Sequence, residues 1–375
     1  MNSHGSNAKK HCTDVNVLGE RFLGDMGRLC MNELYSDVWF LVEDQRIPAH
    51  RLILAARSDY FRGLLYGSMC ESTEPEIRLL EVPLEAFKVI LGYLYSGTLP
   101  VSTLDLDSIF SVLGVANLYC LLEVEPVLSD QLKQNMAVDN VCRILETARL
   151  YGLSDLAENC FKFMDREASK LLKHDSFQML SKELLGEVLP RDTFYALEDE
   201  LFQFVWKWSR QNPDVDIKSL VPCVRLPLLS AEQLTNAVGP SGLFEPGKTF
   251  DTNLAENVPY RYVFMEQGSS VRPERILRSN VWDLGKMFRV NQIKCTLKPP
   301  VCCHVDVSCD KTHWERVGTN ITATIVLNLR FNVLTEHFIN FTARPVYYIR
   351  FIGSGSGRPI WKCVKMLTAG NSGDP

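Results

Sequence analysis

The stretch Asp37–Glu71, DVWFLVEDQRIPAHRLILAARSDYFRGLLYGSMCE, decides how the chain is read. Val38, Phe40 and Val42 alternate with Trp39, Leu41 and Glu43, the two-residue period of a strand. Glu43, Asp44, Gln45 and Arg46 form a polar turn, and Ile47 begins a short second strand, so the segment opens as a hairpin. Pro48 suits the first turn of a helix after that strand, where its missing N–H would have no partner anyway. From Arg51 the period becomes helical, with Leu52, Ala55, Ala56, Tyr60 and Leu64 at three-to-four-residue spacing and Gly63 and Gly67 loosening the end.

Hairpins feeding helices are common, but the wording IPAHRLILAARSDYFRGLL closely resembles the opening of a BTB/POZ domain. That resemblance implies a protein–protein module that forms homodimers and, in many members, docks onto the scaffold cullin-3. Docking members carry a hydrophobic-x-Glu motif just after the helix pair, a position matched here by Met69, Cys70 and Glu71. An exposed Met offers a flexible apolar anchor, and Glu71 can pair with a basic residue at the rim of a groove. The bland alternative is an ordinary solvated loop, and the embedding domain favours the functional reading.

Upstream, residues 1–13 are polar and expected to be disordered, and Val17–Met31 reads as a helix with Leu18, Phe22, Leu29 and Cys30 apolar. In the resembled family the first helix lies across the partner subunit, which makes Leu18, Phe22 and Leu29 candidate dimer residues. The alternative is a helix that covers its own core. Asp37 is a buried or capping carboxylate by its place before an apolar strand, and in the family an acidic residue here lies near the dimer groove.

Downstream, Glu76–Val82 predicts a third strand, Pro83–Tyr95 a helix stopped by Gly97, and Asp105–Tyr119 and Leu121–Leu132 two more helices. The BTB domain is assigned to 14–135. Over 136–238 there is no strand pattern. Val141–Leu150, Ser154–Glu167, Ser176–Lys182, Leu184–Leu189 and Glu198–Ser209 have helical spacing, with Asp192 and Asp199 as expected N-caps. The phrase VRLPLLSAEQL at Val224–Leu234 resembles the end of a BACK domain. Residues 239–260, rich in Gly, Pro and Asn, read as a linker.

Beyond the linker, 261–370 reads as a β-sandwich. Short β-rich runs at Val290–Leu297, Cys303–Cys309, Ala323–Leu329, Tyr347–Ile352 and Trp361–Met366 alternate with turns. HVDVSCDKTHWERV and FTARPVYYIRFIG resemble a shortened discoidin (factor V/VIII type C) domain. Its loops before Val281 and Val305 are reduced relative to those that form the ligand rim in secreted members. The predicted fold class is therefore α+β multidomain: BTB/POZ, all-α BACK and a C-terminal β-sandwich.

Net charge is −5 overall, yet residues 258–375 hold 16 Lys+Arg against 8 Asp+Glu, a net +8 that leaves −13 on the rest. Such segregation points to an acidic partner for a basic C-terminal arm, expected to move freely on its linker. A nucleic-acid or anionic-membrane role is the lesser reading of the same charge. No run reaches about 18 consecutive apolar residues, the length that would predict a membrane span. The N-terminus lacks the apolar segment of a signal peptide, and the 12 cysteines follow no disulfide spacing, so a reducing, cytoplasmic setting is expected.

Other constellations favour bland readings. His50 at a helix start is a hydrogen-bonded structural histidine before it is a ligand or base. Cys302, Cys303, His304, Cys309 and His313 suggest zinc, but strand alternation sends Cys303 and Cys309 to one face and Cys302 and His304 to the other, without Cys-x-x-Cys knuckles. Gly353–Gly357 is a turn with a strand after it, whereas a phosphate loop needs a helix. Neither a nucleophile–base set nor paired carboxylates point to catalysis or a cofactor. The leading expectation is a non-enzymatic dimeric adaptor joining cullin-3 to a client in ubiquitin transfer. The alternative is a cullin-independent BTB scaffold or transcription-associated protein, and the absence of a zinc-finger array lowers its DNA-binding version.

Overall fold

A computed structural model describes residues 21–68, 70–215, 217–229, 231–234, 238, 259–263, 270–271, 273–277, 281–297, 302–321, 335–354 and 364–368. The chain divides into two compact units, 1–136 with 147–157, and 137–146 with 158–375.

The first unit is built on β1 (Val38–Val42) and β2 (Gln45–Ala49), antiparallel, with β3 (Glu76–Leu79) parallel to β1 in the order β2-β1-β3. Val38, Phe40 and Val42 are fully buried, as their alternation predicts. The hairpin turn is tighter than expected: Glu43 and Asp44 alone make it, both with positive φ (44° and 64°), so Gln45 and Arg46 join β2. That is the two-residue turn whose twist matches paired strands. Pro48 lies in β2 opposite Trp39 and not in a helix; β2 is an edge strand, where a missing N–H is tolerated.

The helical segment is two helices, α1 (Arg51–Arg57) and α2 (Asp59–Tyr66), parted by Ser58 in extended conformation, whose hydroxyl accepts the Phe61 N–H at 3.4 Å. The break rotates the apolar stripe. Leu54, Ala55, Phe61, Leu64 and Leu65 are buried, while Leu52 faces solvent. Then α3 (Leu84–Ser96) starts after Pro83 and stops at left-handed Gly97, and α4 (Leu106–Leu118) is capped by Asp105 accepting the Ser108 N–H at 2.8 Å. Helix α5 (Val124–Gln134) follows. Phe40, Phe61 and Phe87 meet edge to face, with Tyr119 against Phe61, forming the aromatic centre of this unit.

Helices α6 (Val141–Leu150), α7 (Ser154–Leu171), α8 (Asp175–Gln178), α9 (Lys182–Val188) and α10 (Glu198–Gln211) complete the all-α segment. Asp192 and Asp199 do not cap helices. Asp192 is paired with Arg225, and Asp199 lies in the first turn of α10, whose N-cap is Leu197. In the second unit Phe177 stacks on Phe194, and Trp208 donates its indole N–H to the Leu180 carbonyl at 3.2 Å. Asp165, with no side-chain exposure, accepts a two-point pair from Arg191 and the Thr193 hydroxyl at 2.6 Å.

The C-terminal domain is antiparallel β. Its strands are β4 (Ser270–Val271), β5 (Arg275–Leu277), β6 (Val281–Leu297), β7 (Cys302–Ser308), β8 (Glu315–Ile321), β9 (Thr335–Ser354) and β10 (Val364–Thr368). They bond in the order β4-β10-β6-β9-β7-β8, with β5 on β6. Trp282, Val290, Ile293, Val305, Val307, Val346, Ile349 and Phe351 share its core. Strand β9 runs through Pro345, beside register shifts that bend the β6–β9 pairing. The expected strand Ala323–Leu329 and most of the expected linker lie outside the described residues.

The free arm expected beyond the linker meets an anchor. Arg261 is 4% exposed; its Nε donates to Glu198 at 2.7 Å, and its terminal nitrogens donate to the carbonyls of Leu189 (2.6 Å), Arg191 (2.8 Å) and Cys223 (2.7 Å). Two residues on, the Val263 N–H reaches the Met287 carbonyl of β6 at 2.7 Å. The strap 259–263 thus bonds to both the helical segment and the sheet. Screened charge attraction would have held them loosely; a buried guanidinium with four acceptors does not. Among the described residues no helix is long and apolar enough to cross a membrane.

Candidate functional site

The segment after α2 leaves the helix at Gly67, where an added Cβ would lie 2.1 Å from the Gly63 carbonyl oxygen, so the exit has room only for glycine. Cys70–Ser72 then form a single 3-10 turn on the path from α2 to β3. Met69 and the Cys70 side chain lie outside the described residues; Glu71 is half-buried.

What holds this turn is Arg51. A cation in the first turn of a helix is disfavoured by the helix dipole, and Arg51 turns its guanidinium away toward carbonyls instead. Nη1 donates to Leu65 O at 3.1 Å and Ser72 O at 2.7 Å, and Nη2 donates to Glu74 O. The three acceptors bracket Met69, Cys70 and Glu71. The Arg51 N–H donates to Asp37 Oδ1 at 2.7 Å, so Asp37, exposed at the strand entrance, caps α1 from fourteen residues away. Arg51→Lys, with one nitrogen for three carbonyls, is expected to lower stability by about 1–2 kcal/mol, which urea unfolding would register. An unchanged midpoint would mean that the carbonyls find other donors.

Tyr60 lies beside the turn. Its hydroxyl is pushed above the usual tyrosine range by burial, with the nearby Glu71 carboxylate and Cys120 adding to the effect. The ring packs on Tyr119 at 4.8 Å. Cys120 is exposed with a positive φ of 54°. Glu71, Tyr60 and Cys120 therefore form one neighbourhood, of which only Glu71 had a sequence signal; the others depend on α4 returning toward α2.

Of the candidate dimer residues, Leu18 lies outside the described residues, Phe22 is 61% exposed, Leu29 is half-buried and Asp37 is engaged as above. Phe22 shares the 21–35 segment with other exposed apolar side chains, Leu23, Met31, Leu34 and Tyr35. His50 ties that segment down. Its backbone N–H donates to the Tyr95 hydroxyl oxygen (2.8 Å), whose proton then points at Nδ1 (2.7 Å), so Nε2 carries the ring proton and donates to Leu34 O (2.8 Å).

In the C-terminal domain, Cys309 donates its thiol to the Pro345 carbonyl at 3.3 Å, and burial pushes that thiol up to about 11. His313 pairs with Asp310 at 2.8 Å. The Cys302 and Cys303 side chains and Gly355–Gly357 lie outside the described residues, and among those described no three His, Cys, Asp or Glu side chains gather as a metal site.

The BTB/POZ domain profile matches residues 26–136, and the BACK (BTB And C-terminal Kelch) profile matches residues 141–239. BTB/POZ domain-containing protein 9 of Drosophila melanogaster is 44% identical over a 386-residue alignment that takes in 91% of this chain and 52% of the fly protein. The Homo sapiens protein of that name is 39% identical over 238 residues, 63% of this chain and 38% of its own length. BTB/POZ domain-containing protein 6 of Xenopus tropicalis is 26% identical over 277 residues, 67% of this chain. The chain thus spans about half the length of the fly relative and less of the human one. With a three-stranded BTB sheet and its helices followed by an all-α BACK segment, this chain belongs to the BTB–BACK proteins.

Proposed function

We propose that the protein is a dimeric, non-enzymatic adaptor that presents a client to a cullin-3 ubiquitin ligase. The observation that carries this reading is the Arg51-braced turn at 70–72, which places Glu71 beside Tyr60 at the exit of α2. A hydrophobic-x-Glu motif needs such a brace, because a floppy loop would lose conformational entropy on docking. The exposed apolar residues Phe22, Leu23, Leu34 and Tyr35 form the surface that a second copy would cover. The C-terminal β domain, with its excess of basic residues, is the end that takes a client with acidic surface, in a cytoplasmic setting.

The test is binding of the purified cullin-3 N-terminal domain to the full chain. Met69→Ala combined with Glu71→Ala is expected to weaken it by about 2–4 kcal/mol, while the unfolding midpoint stays put. Wild-type protein that ignores cullin-3, or a double variant that binds as well, sinks the docking assignment. Sedimentation of the same full chain at monomer mass would separately remove the dimer.

A further inference from the structure

On the face of the C-terminal sheet opposite Val305, Val307, Ile349 and Phe351, register puts Arg316 of β8, Asp306 of β7 and Arg350 of β9 in one row across three strands. Asp306 is 3% exposed, and it accepts from Arg316 Nε and from Arg350 Nη2, each at 2.9 Å. Burial pushes its carboxyl up, but the two guanidiniums outweigh that and hold it below the usual range. The row is two cations on one carboxylate. Lys311 adds a third positive charge, its ammonium 4.5 Å from the ring centre of Tyr348, and Trp314 stacks 4.1 Å from the guanidinium carbon of Arg350.

This arrangement exceeds what holding the sheet together requires. Arg316 gives Asp306 only its Nε; its terminal nitrogens meet no acceptor among the described residues, and its side chain is 47% exposed. Arg350 Nε is shielded from solvent without a hydrogen-bond partner among the described residues. Nearby carboxylates are engaged elsewhere: Asp310 with His313 and Thr312, and Glu315 with Arg344. A guanidinium fixed at one nitrogen with its fork free is set up for a two-point bond to a carboxylate, and fixing it beforehand lessens the entropy lost on binding.

We propose that Arg316, Arg350 and Lys311, with Trp314 and Tyr348 as their aromatic supports, form a docking face for an acidic peptide segment of a partner protein. The face sets three cations beside two aromatic rings, and a carboxylate side chain offers the planar two-oxygen acceptor that the free fork of Arg316 takes. The proposal deepens the reading of the β domain as the client-binding end and depends on it.

The test uses the full chain and a fluorescein-labelled hexaglutamate peptide, followed by anisotropy at low and high salt, with hexauridylate as a second probe. Hexaglutamate should bind, weaken as salt rises, and lose roughly fivefold in affinity with Arg316→Gln or with Lys311→Gln. Lys294→Gln, elsewhere on the sheet, should leave it unchanged. Lys311 has no side-chain hydrogen bond to lose among the described residues, so its variant decides the matter even if Arg316→Gln unfolds. Absence of hexaglutamate binding, indifference to Lys311→Gln, or tighter hexauridylate binding at the same residues overturns the proposal. Cullin-3 binding on the same samples separates the readings: peptide capture without cullin-3 binding sinks the adaptor alone, and the converse sinks this face alone.

Discussion

Arg261→Ala is expected to cost about 3–5 kcal/mol, the effect of breaking a buried ion pair by removing one partner. The side chain is 2% exposed and Glu198 9% exposed, so the alanine variant leaves a carboxylate with little water to replace its partner. The carbonyls of Leu189, Arg191 and Cys223 lose their donor in the same stroke. Burial pulls the guanidinium below the usual arginine range while Glu198 opposes that pull, the signature of a charge tolerated only because it is paired. For a unit of this size the thermal midpoint should fall by roughly 6–20 °C. Arg261→Lys should recover part of the loss, since an ammonium can reach some but not all of these acceptors. A fall below about 1 kcal/mol would show that water enters and replaces the guanidinium, and the strap 259–263 would no longer be what holds helices to sheet.

The strap also lies beyond the reach of sequence pattern. Alternation at Val38–Val42 and the three-to-four spacing of α6 are periodic signals, written along the chain and readable from it. Burial of Arg261 is not periodic: it sits at the end of a Gly/Pro/Asn-rich stretch, and nothing local distinguishes a solvated arginine from a buried one with four acceptors, most of them sixty or more residues upstream. Strand β8 escaped for a related reason. ERVGTNI has little β pattern because it is an edge strand with charged and small residues, held by its pairing to β7. Asp192 had the right residue type for a cap, yet Arg225 claimed it in three dimensions. In the candidate site the motif Met69, Cys70 and Glu71 was legible through its position after a recognisable helix pair. Its brace was not, because Arg51 acts through backbone carbonyls, which every sequence has.

Phe61→Ala should be nearly as damaging, about 3–5 kcal/mol, and its consequences would be of a different kind. The ring is fully buried at the junction of Phe40, Tyr60 and Tyr119, with centroids 5.8, 5.3 and 4.9 Å away. Removing it opens a cavity directly under α2, whose last turn leads into the Gly67 exit and the 70–72 turn. Tyr119 would lose one wall while its hydroxyl, already buried without a partner among the described residues, gains no new one. Phe61→Leu keeps most of the volume and should cost less than about 1.5 kcal/mol. Under the proposed cullin-3 docking, the informative comparison is cullin-3 affinity of the folded fraction. If the turn is positioned by Arg51 and the aromatic centre together, the alanine variant should bind more weakly even at temperatures where it is folded, and the leucine variant should bind as the wild type does. Equal binding by both would leave the aromatic centre a purely structural role and place the whole positioning of Glu71 on the Arg51 carbonyl bonds.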